Sequence, residues 1–429
     1  MAVSFSVLHT RSGVTALNVV TAALTVDART ASIPVVFATT IPALVESLRA
    51  AASRGLRPIA GYSFYSPDFA AAAADLQKVR EATGGSGVLH LAGGVHATAE
   101  PLATLQAGFE LVAVGEGEQT AVDLFAALEA GGDPRTGGRT EGLAWLGEGG
   151  RLVTGGPGQR KPLDAFPAFH APAGKWNAIE ITRGCVYACS FCQTPFMFKA
   201  RFRHRSVQDV ARHAAQLRAG GGRYVRFLTP TSLSYGAEGT EPDLPAVEAL
   251  LAAVRAAMGP EGKIYFGTFP SELRPEHVTP GAMAILKRYV DNDSLVIGGQ
   301  SGSERVLAQT RRGHGVEVVE QAVRYSLEAR FVPHVDFLLG LPGEERVDRE
   351  QSLLLARRLV TLGARIHSHS FLPLPGTPLA GAQPTVLEAE TVAAMSRLES
   401  EGAMYGQWRR QQEIARGLVA LRAGRGAIR

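Results

Sequence analysis

Cysteine is nearly absent: there are three in 429 residues, all inside the eight positions from Cys185 to Cys192. A disulfide framework is thereby excluded, because one thiol is left over and the intervals are too short for stable loops. Cysteine used as a small buried hydrophobe would not be so confined. No window approaches the roughly 18 uninterrupted apolar residues of a membrane-spanning helix. The first twenty residues lack a basic region followed by a sustained apolar core, so no export signal is expected. No run of five or six basic residues precedes the C-terminus, and the net charge of +4 is small for this length. Membrane and nucleic acid are therefore not expected as partners. Without export, the thiols are expected in a reducing, cytoplasmic compartment, where an oxygen-sensitive centre survives.

The chain is long enough for two or three domains. Its 45% hydrophobic and 20% charged residues are ordinary for a globular protein. The unusual feature is the stretch Thr182-Arg183-Gly184-Cys185-Val186-Tyr187-Ala188-Cys189-Ser190-Phe191-Cys192. Three thiolates at C-x3-C-x2-C suit a metal centre. Structural zinc would need a fourth protein ligand from elsewhere. A four-iron cluster on three cysteines keeps one iron open, which is a place for a substrate to bind.

That spacing, with Gly184 before the first cysteine and the aromatic Phe191 before the third, resembles the radical S-adenosylmethionine enzymes. The resemblance implies that Cys185, Cys189 and Cys192 hold a 4Fe-4S cluster and that Phe191 contacts S-adenosylmethionine. In the family the open iron chelates the amino and carboxylate groups of S-adenosylmethionine. An electron from the cluster then cleaves the sulfonium to methionine and a 5'-deoxyadenosyl radical. An external electron donor of flavodoxin or ferredoxin type is implied as a partner.

Residues 1–146 alternate strand and helix signals. Phe5 to His9, Pro34 to Ala38, Arg57 to Ser63, Val88 to Ala92 and Glu110 to Val114 are short apolar runs. Ile41 to Ala52, Asp68 to Ala82 and Gln119 to Ala130 have helical spacing. Such alternation predicts a Rossmann-like parallel sheet covered on both faces, with its ligand beyond the carboxyl ends of the strands. Those ends carry Ser63 and Phe64, then Gly93-Gly94-Val95-His96, then Gly115-Glu116-Gly117-Glu118. Glycines there either let the backbone approach a large ligand or serve as turn chemistry only. The combination resembles the cobalamin-binding domain that precedes many radical S-adenosylmethionine domains, and implies these ten residues as cobalamin contacts. The Asp-x-His-x-x-Gly motif that supplies a lower axial histidine elsewhere is absent, which leaves the lower face of cobalt unassigned.

Residues 147–175 are dense in glycine and proline, as in Gly155-Gly156-Pro157-Gly158 and Phe166-Pro167, and are expected as a linker free of regular elements. From 176 to 383 the alternation resumes, with strands at Asn177 to Ile181, Tyr224 to Leu228, Lys263 to Thr268, Ser294 to Gly298, Val332 to Leu339 and Arg365 to Leu372. Six strand–helix repeats predict a partial (β/α)6 barrel with its functional groups at the carboxyl ends of the strands. Residues 384–429 are expected to be helical, over Val386 to Glu401 and Met404 to Leu421, with Trp408 a packing residue.

At the strand ends the family resemblance implies further contacts. Gln300 and Ser301, after the fourth strand, match the segment near the ribose of S-adenosylmethionine; Ser303 before Arg305 also reads as a helix N-cap. Gly340 and Leu341, after the fifth, match a pattern near the adenine, and equally a Gly/Pro turn that starts a helix. After the second strand the family's Gly-Gly-Glu segment is missing; Phe227-Leu228-Thr229-Pro230 stands there, so Thr229, Thr231 or a carbonyl is left to take the ammonium. Arg201, Arg203, His204 and Arg205 form a basic run after the cysteines, read either as a solvated face or as a partner for a carboxylate. His367 and His369 share one face of the sixth strand.

Two implied cofactors in one chain make chemical sense where a substrate radical collects a methyl group from methylcobalamin. The expectation is a cobalamin-dependent radical methyltransferase acting on an unactivated carbon or phosphorus centre of a small-molecule or natural-product substrate. The alternatives are a radical rearrangement, cyclisation or oxidation with the same cofactors, and a redox sensor without turnover. A methylthiotransferase would need a second cysteine set, which the chain lacks. The sequence assigns no catalytic residue.

Overall fold

The computed structural model describes residues 2–426, apart from 11, 85 and 137–139. It divides into two units, Met1–Asn177 and Ala178–Arg429. No helix among the described residues is long and apolar enough to cross a membrane.

The first unit is built on strands β1 (Val3–Leu8), β2 (Val35–Ala38), β3 (Arg57–Ser63), β4 (Leu89–Gly93) and β5 (Leu111–Ala113), followed by β6 (Leu143–Leu146) and β7 (Leu152–Thr154). They form one sheet in the order β2-β1-β3-β4-β5-β6-β7. The first five strands are parallel; β6 and β7 run antiparallel at the edge. Helices α1 (Val14–Val26), α2 (Ile41–Ser53), α3 (Phe69–Ala82), α4 (Val95–Ala99), α5 (Pro101–Gln106) and α6 (Gly117–Glu129) cover it. All six residues of β1 are buried, as a central strand with both faces covered requires. Val3, Phe5 and Val7 pack with Leu17 and Leu24 of α1 and Phe125 of α6. On the other side Leu8, Ala60 and Tyr62 pack with Leu44 and Leu48 of α2 and Leu76 and Val79 of α3.

Two expectations are corrected here. The segment expected to be a linker carries β7, which pairs through Trp145↔Val153. Its glycines sit at turns, and Leu152-Val153-Thr154 is long enough to close an edge hairpin. Helix α1 was not foreseen, because Val14-Thr-Ala-Leu-Asn-Val-Val is apolar nearly all round and shows no one-sided periodicity.

In the second unit, strand β8 (Ile179–Glu180) leads into β9 (Thr182–Arg183); short helix α7 (Gln193–Met197) follows, and β10 (Arg203–His204) pairs back antiparallel to β9. Next come α8 (Val207–Ala219), β11 (Tyr224–Leu228), α9 (Leu244–Met258), β12 (Lys263–Tyr265), α10 (Pro280–Tyr289), β13 (Ser294–Gln300), α11 (Glu304–Gln309), α12 (Val316–Glu328), β14 (Val332–Leu339), α13 (Arg346–Leu362), β15 (Arg365–Ser370), α14 (Ala389–Ser400), β16 (Met404–Gly406) and α15 (Trp408–Gly426). The parallel strands follow chain order in two sheets, β12-β11-β8 and β13-β14-β15-β16. A bridge from Leu273 to Ile297 joins them, with Val296 N–H donating to Gly267 O at 2.8 Å. This is the partial barrel expected from six strand–helix repeats.

The third strand stops at Tyr265, short of the expected Thr268, because the chain turns at Gly267, whose φ is +76°. The region beyond 384 is not purely helical. Gly402, with φ +70°, ends α14, and Met404–Gly406 adds a parallel strand through Ile366↔Met404 before α15 begins. Trp408 is 1% exposed and packs with Leu359, Ile366 and Met395, so the C-terminal segment belongs to the barrel core.

Candidate iron–sulfur and cofactor site

The cysteine loop leaves the first barrel strand at its carboxyl end and is closed by the β9–β10 pairing, Arg203↔Arg183 and His204↔Thr182. Gly184 opens it at φ +84°, and a Cβ there would overlap the Arg201 carbonyl oxygen. Glycine at this position is thus demanded by the close return of the chain. Cys192 N–H donates to Cys189 O at 3.0 Å, and Ser190 N–H to Thr310 O at 3.1 Å. All three cysteines are free; Cys189 is buried and the other two are partly exposed. Burial pushes the Cys185 thiol up to about 11 and raises that of Cys192 as well. Such a set is unfavourable as bare thiolates and becomes favourable when a cationic metal centre binds them.

Two arginines that sequence reasoning missed surround this loop. Arg312 is buried; its Nη1 donates to Cys189 Sγ at 3.4 Å and its Nη2 to Gly298 O at 2.6 Å. Its Nε is buried with no partner among the described residues. Arg274 donates to the Arg312 carbonyl oxygen, and its guanidinium lies 3.6 Å from the centre of the Tyr187 ring. The Tyr187 hydroxyl meets Thr240 O at 2.8 Å and His277 Nε2 at 2.7 Å. Nothing local in the sequence marks Arg312, which lies 123 positions from Cys189.

The basic run after the cysteines serves different ends. Arg205 is buried, with Nη1 2.5 Å from Asp209 Oδ2 and Nε on Glu180 O. His204 is tied to Thr182 Oγ1 and Ala237 O, both at 2.9 Å. Arg201 is exposed.

Among the residues that the family resemblance implied for S-adenosylmethionine, Phe191 and Leu341 meet in one apolar cluster with Val306, Leu338 and Phe371. Gln300 stands at φ +71°, where the β13–β14 register shifts, a bulge of the kind that re-aims side chains beside sites. The Ser301 hydroxyl is engaged locally, 3.2 Å from Ser352 Oγ and accepting from Ser303 N–H at 3.1 Å. Ser303 caps α11, its Oγ accepting from Val306 N–H. The buried Thr229 donates to Thr231 O at 3.1 Å. Gly340 donates its N–H to Glu344 Oε2 at 2.6 Å. No glutamate stands directly after β11, but Glu272 lies beyond β12; burial, with Asp336 adding to it, pushes its carboxyl up to about 7.

In the first unit the registers Ser63↔Gly93 and Ala92↔Val112 set the carboxyl ends of β3, β4 and β5 side by side. This brings Ser63 and Phe64, Gly93 to His96 and Gly115 to Glu118 together. Protein packing accounts for part of the glycine pattern. A Cβ on Gly94 would stand 2.7 Å from Ser63 Oγ, and one on Gly115 3.1 Å from Pro157 Cβ. His96 turns inward, stacking on Phe69 at 4.3 Å and reaching Ser66 Oγ at 3.0 Å. Glu116 is buried with Arg160 Nε at 3.8 Å. The strand order reverses between β1 and β3, which is where open parallel sheets of this order bind ligands. The β1 end, His9-Thr10, was missed; His9 Nε2 lies 2.8 Å from Asn18 Oδ1 of α1.

The cysteine loop and parallel-strand geometry of the second unit agree with sequence comparison, in which residues 179–356 match the Radical SAM superfamily. The chain's fold is similar to that of solved radical S-adenosylmethionine enzymes. It superposes on the radical S-adenosylmethionine methyltransferase TsrM from Kitasatospora setae, solved with cobalamin and a [4Fe-4S] cluster, with TM-score 0.67 and 18% identity over 89% of this chain and 74% of that one. It also superposes on the cobalamin-dependent S-adenosylmethionine radical enzyme OxsB, with TM-score 0.66 and 15% identity over 83% and 52%. Curated relatives include the tRNA-2-methylthio-N(6)-dimethylallyladenosine synthase of Rickettsia akari (strain Hartford), 30% identical over 214 residues, 48% of this chain and 45% of that protein. The synthase of Yersinia pestis (strain Pestoides F) is 30% identical over 49% and 44%. The chain thus spans less than half the length of these relatives.

Proposed function

We propose that this protein is a cobalamin-dependent radical S-adenosylmethionine methyltransferase acting on an unactivated carbon or phosphorus centre of a small molecule. The observation that carries the reading is the loop of three free thiols at the end of the first barrel strand, with the Arg312 guanidinium on Cys189 Sγ. Cys185, Cys189 and Cys192 would hold a 4Fe-4S cluster. Arg312, whose buried Nε lacks a protein partner among the described residues, would receive the carboxylate of S-adenosylmethionine. Phe191, Leu341 and Phe371 would exclude water around the nucleoside. Residues 1–146 would bind cobalamin at the aligned ends of β3, β4 and β5, where a Cβ on Gly93 would meet nothing nearer than Ala113 Cβ at 3.7 Å. The bound cofactors supply reductive cleavage of S-adenosylmethionine and delivery of the methyl group.

The likeness to TsrM and OxsB supports the cofactor pair. The synthase relatives act on tRNA, as their names say, but the three cysteines here leave no second set in the first unit. A rearrangement, cyclisation or oxidation would use the same groups without methyl transfer. Reduced, reconstituted protein given S-adenosylmethionine decides among these. Both 5'-deoxyadenosine and S-adenosylhomocysteine are expected; deoxyadenosine alone favours the rearrangement class, and the absence of both products overturns the radical reading.

A further inference from the structure

The second unit holds a polar cluster that the radical reading leaves unused. Asp336 on β14 pairs in register with His367 on β15, and His369 follows two positions on. All three face away from the side on which Val335, Phe337 and Ile366 pack under the helices. His367 Nδ1 lies 2.8 Å from Asp336 Oδ1; His369 Nε2 lies 3.7 Å from the same oxygen and 3.2 Å from His367 Nδ1. Two imidazoles and a carboxylate so spaced resemble the ligand set of a divalent cation.

The proton positions argue otherwise. Ser370 N–H can only donate, and it donates to Gln411 Oε1 at 2.8 Å. The amide is thereby fixed with its nitrogen 3.2 Å from His369 Nδ1. An amide NH2 also only donates, so His369 Nδ1 carries a lone pair and the proton sits on Nε2. A protonated Nε2 is not a metal ligand; it stands on the Asp336 side, 3.7 Å from Oδ1, beside the N–H of His367 Nδ1. The 3.2 Å approach of the two nitrogens is then that of two donors converging on one oxygen. Burial opposes the charge on Asp336, and the two imidazole donors outweigh it, holding the carboxyl below its usual range. The Tyr405 ring stacks on His367 at 4.6 Å and 12°, and its hydroxyl is anchored by His334 Nδ1 at 2.7 Å. His367 is left with Nε2 as a lone pair that has no partner among the described residues.

We propose that Asp336, His369 and Gln411 hold His367 as a proton acceptor, with Nε2 the accepting atom, for an O–H or N–H group of a small-molecule substrate. In that step the substrate's O–H or N–H bond breaks, its electron pair stays on oxygen or nitrogen, and the proton bonds to Nε2. The imidazolium so formed is balanced by the Asp336 carboxylate. The inference needs neither cluster nor cobalamin, so its failure would leave the radical reading untouched.

Diethyl pyrocarbonate, which acylates unprotonated imidazole nitrogen, tests it on the full chain at neutral pH with peptide mass mapping. His367 and His369 are equally accessible, at 27% and 28% side-chain exposure, so a difference in rate reports which lone pair is free, His369 Nδ1 being covered by the Gln411 amide and His367 Nε2 not. His367 is expected to react about tenfold faster than His369, and Asp336→Asn to slow it by about tenfold. Gln411→Ala, which removes the amide covering His369 Nδ1, is expected to free that lone pair and raise the His369 rate by about tenfold. Equal rates in the native protein, or no change at His369 in Gln411→Ala, would overturn the proposal. So would one equivalent of zinc bound to the native chain and lost in His369→Ala.

Discussion

Arg312 Nη1 stands 3.4 Å from Cys189 Sγ, and the same guanidinium holds Gly298 O at 2.6 Å, so one buried cation ties the thiol loop to the fourth parallel strand of the barrel. A positive charge beside an iron–sulfur cluster favours its reduced, more negative state. Arg312→Met is therefore expected to lower the midpoint potential of the bound cluster and to raise the KM for S-adenosylmethionine by about 10- to 100-fold. A redox titration followed by electron paramagnetic resonance reads the first effect. An unchanged potential would remove Arg312 from the cluster's surroundings.

Replacing Cys185, Cys189 and Cys192 together by alanine is expected to abolish iron binding while leaving the fold in place, since all three lie in the loop between β9 and α7 and outside any strand or helix. Iron analysis after reconstitution checks this. Iron retained at the native level would sink the cluster assignment.

Gly184→Ala is expected to cost more than its one methyl group suggests. The position has φ +84°, and the new Cβ would overlap the Arg201 carbonyl oxygen, so the β9–β10 closure must open. The strain is on the order of 1–3 kcal/mol and falls on the loop. Iron loading should drop severalfold while the circular dichroism of the first unit's α/β fold is retained. Full loading would show that the loop tolerates a shift.

Glu272 should make stability fall as pH rises. Its folded-state carboxyl is raised to about 7 from 4.5, first by burial and then by Asp336. Between those values the native state binds more protons than the unfolded state, so the free energy of unfolding declines through the window, by about 1 kcal/mol per pH unit. Glu272→Gln is expected to flatten that slope in urea midpoints measured from pH 5 to 7. A slope unchanged by the substitution would count against this titration.

Trp408→Ala is expected to cost about 3–5 kcal/mol in stability, because the ring is 1% exposed among Leu359, Ile366 and Met395 and its Nε1 donates to Glu399 Oε1 at 2.8 Å. Denaturant unfolding measures it. A loss below about 1 kcal/mol would place α15 outside the barrel core.

What was legible in the sequence follows from locality. Three thiols within one turn of chain announce a metal centre with no reference to the rest of the fold, and Gly184 beside them is explained by a backbone angle it alone tolerates. Short apolar runs alternating with helical periodicity are also local signals, so Arg57–Ser63, Tyr224–Leu228 and Val332–Leu339 were placed at their observed ends. Helix α1 and strands β7 and β16 escaped because each lacks such a signal. The first is buried too evenly to show a face, and the other two are three-residue segments that become strands only when β6 and β15 supply partners.

The site divides along the same line. The residue types and spacing of Cys185, Cys189 and Cys192 are properties of the chain alone. The cation on Cys189, the carboxylate of Glu272 near Asp336, and the turning of His96 into the core against Phe69 are decided by side chains that lie far apart in the sequence. Their chemistry depends on burial and on the hydrogen bonds that strand register creates. The proton on His369 is the sharpest case, since it is set by Gln411, 42 residues away, through an amide that a single backbone N–H orients.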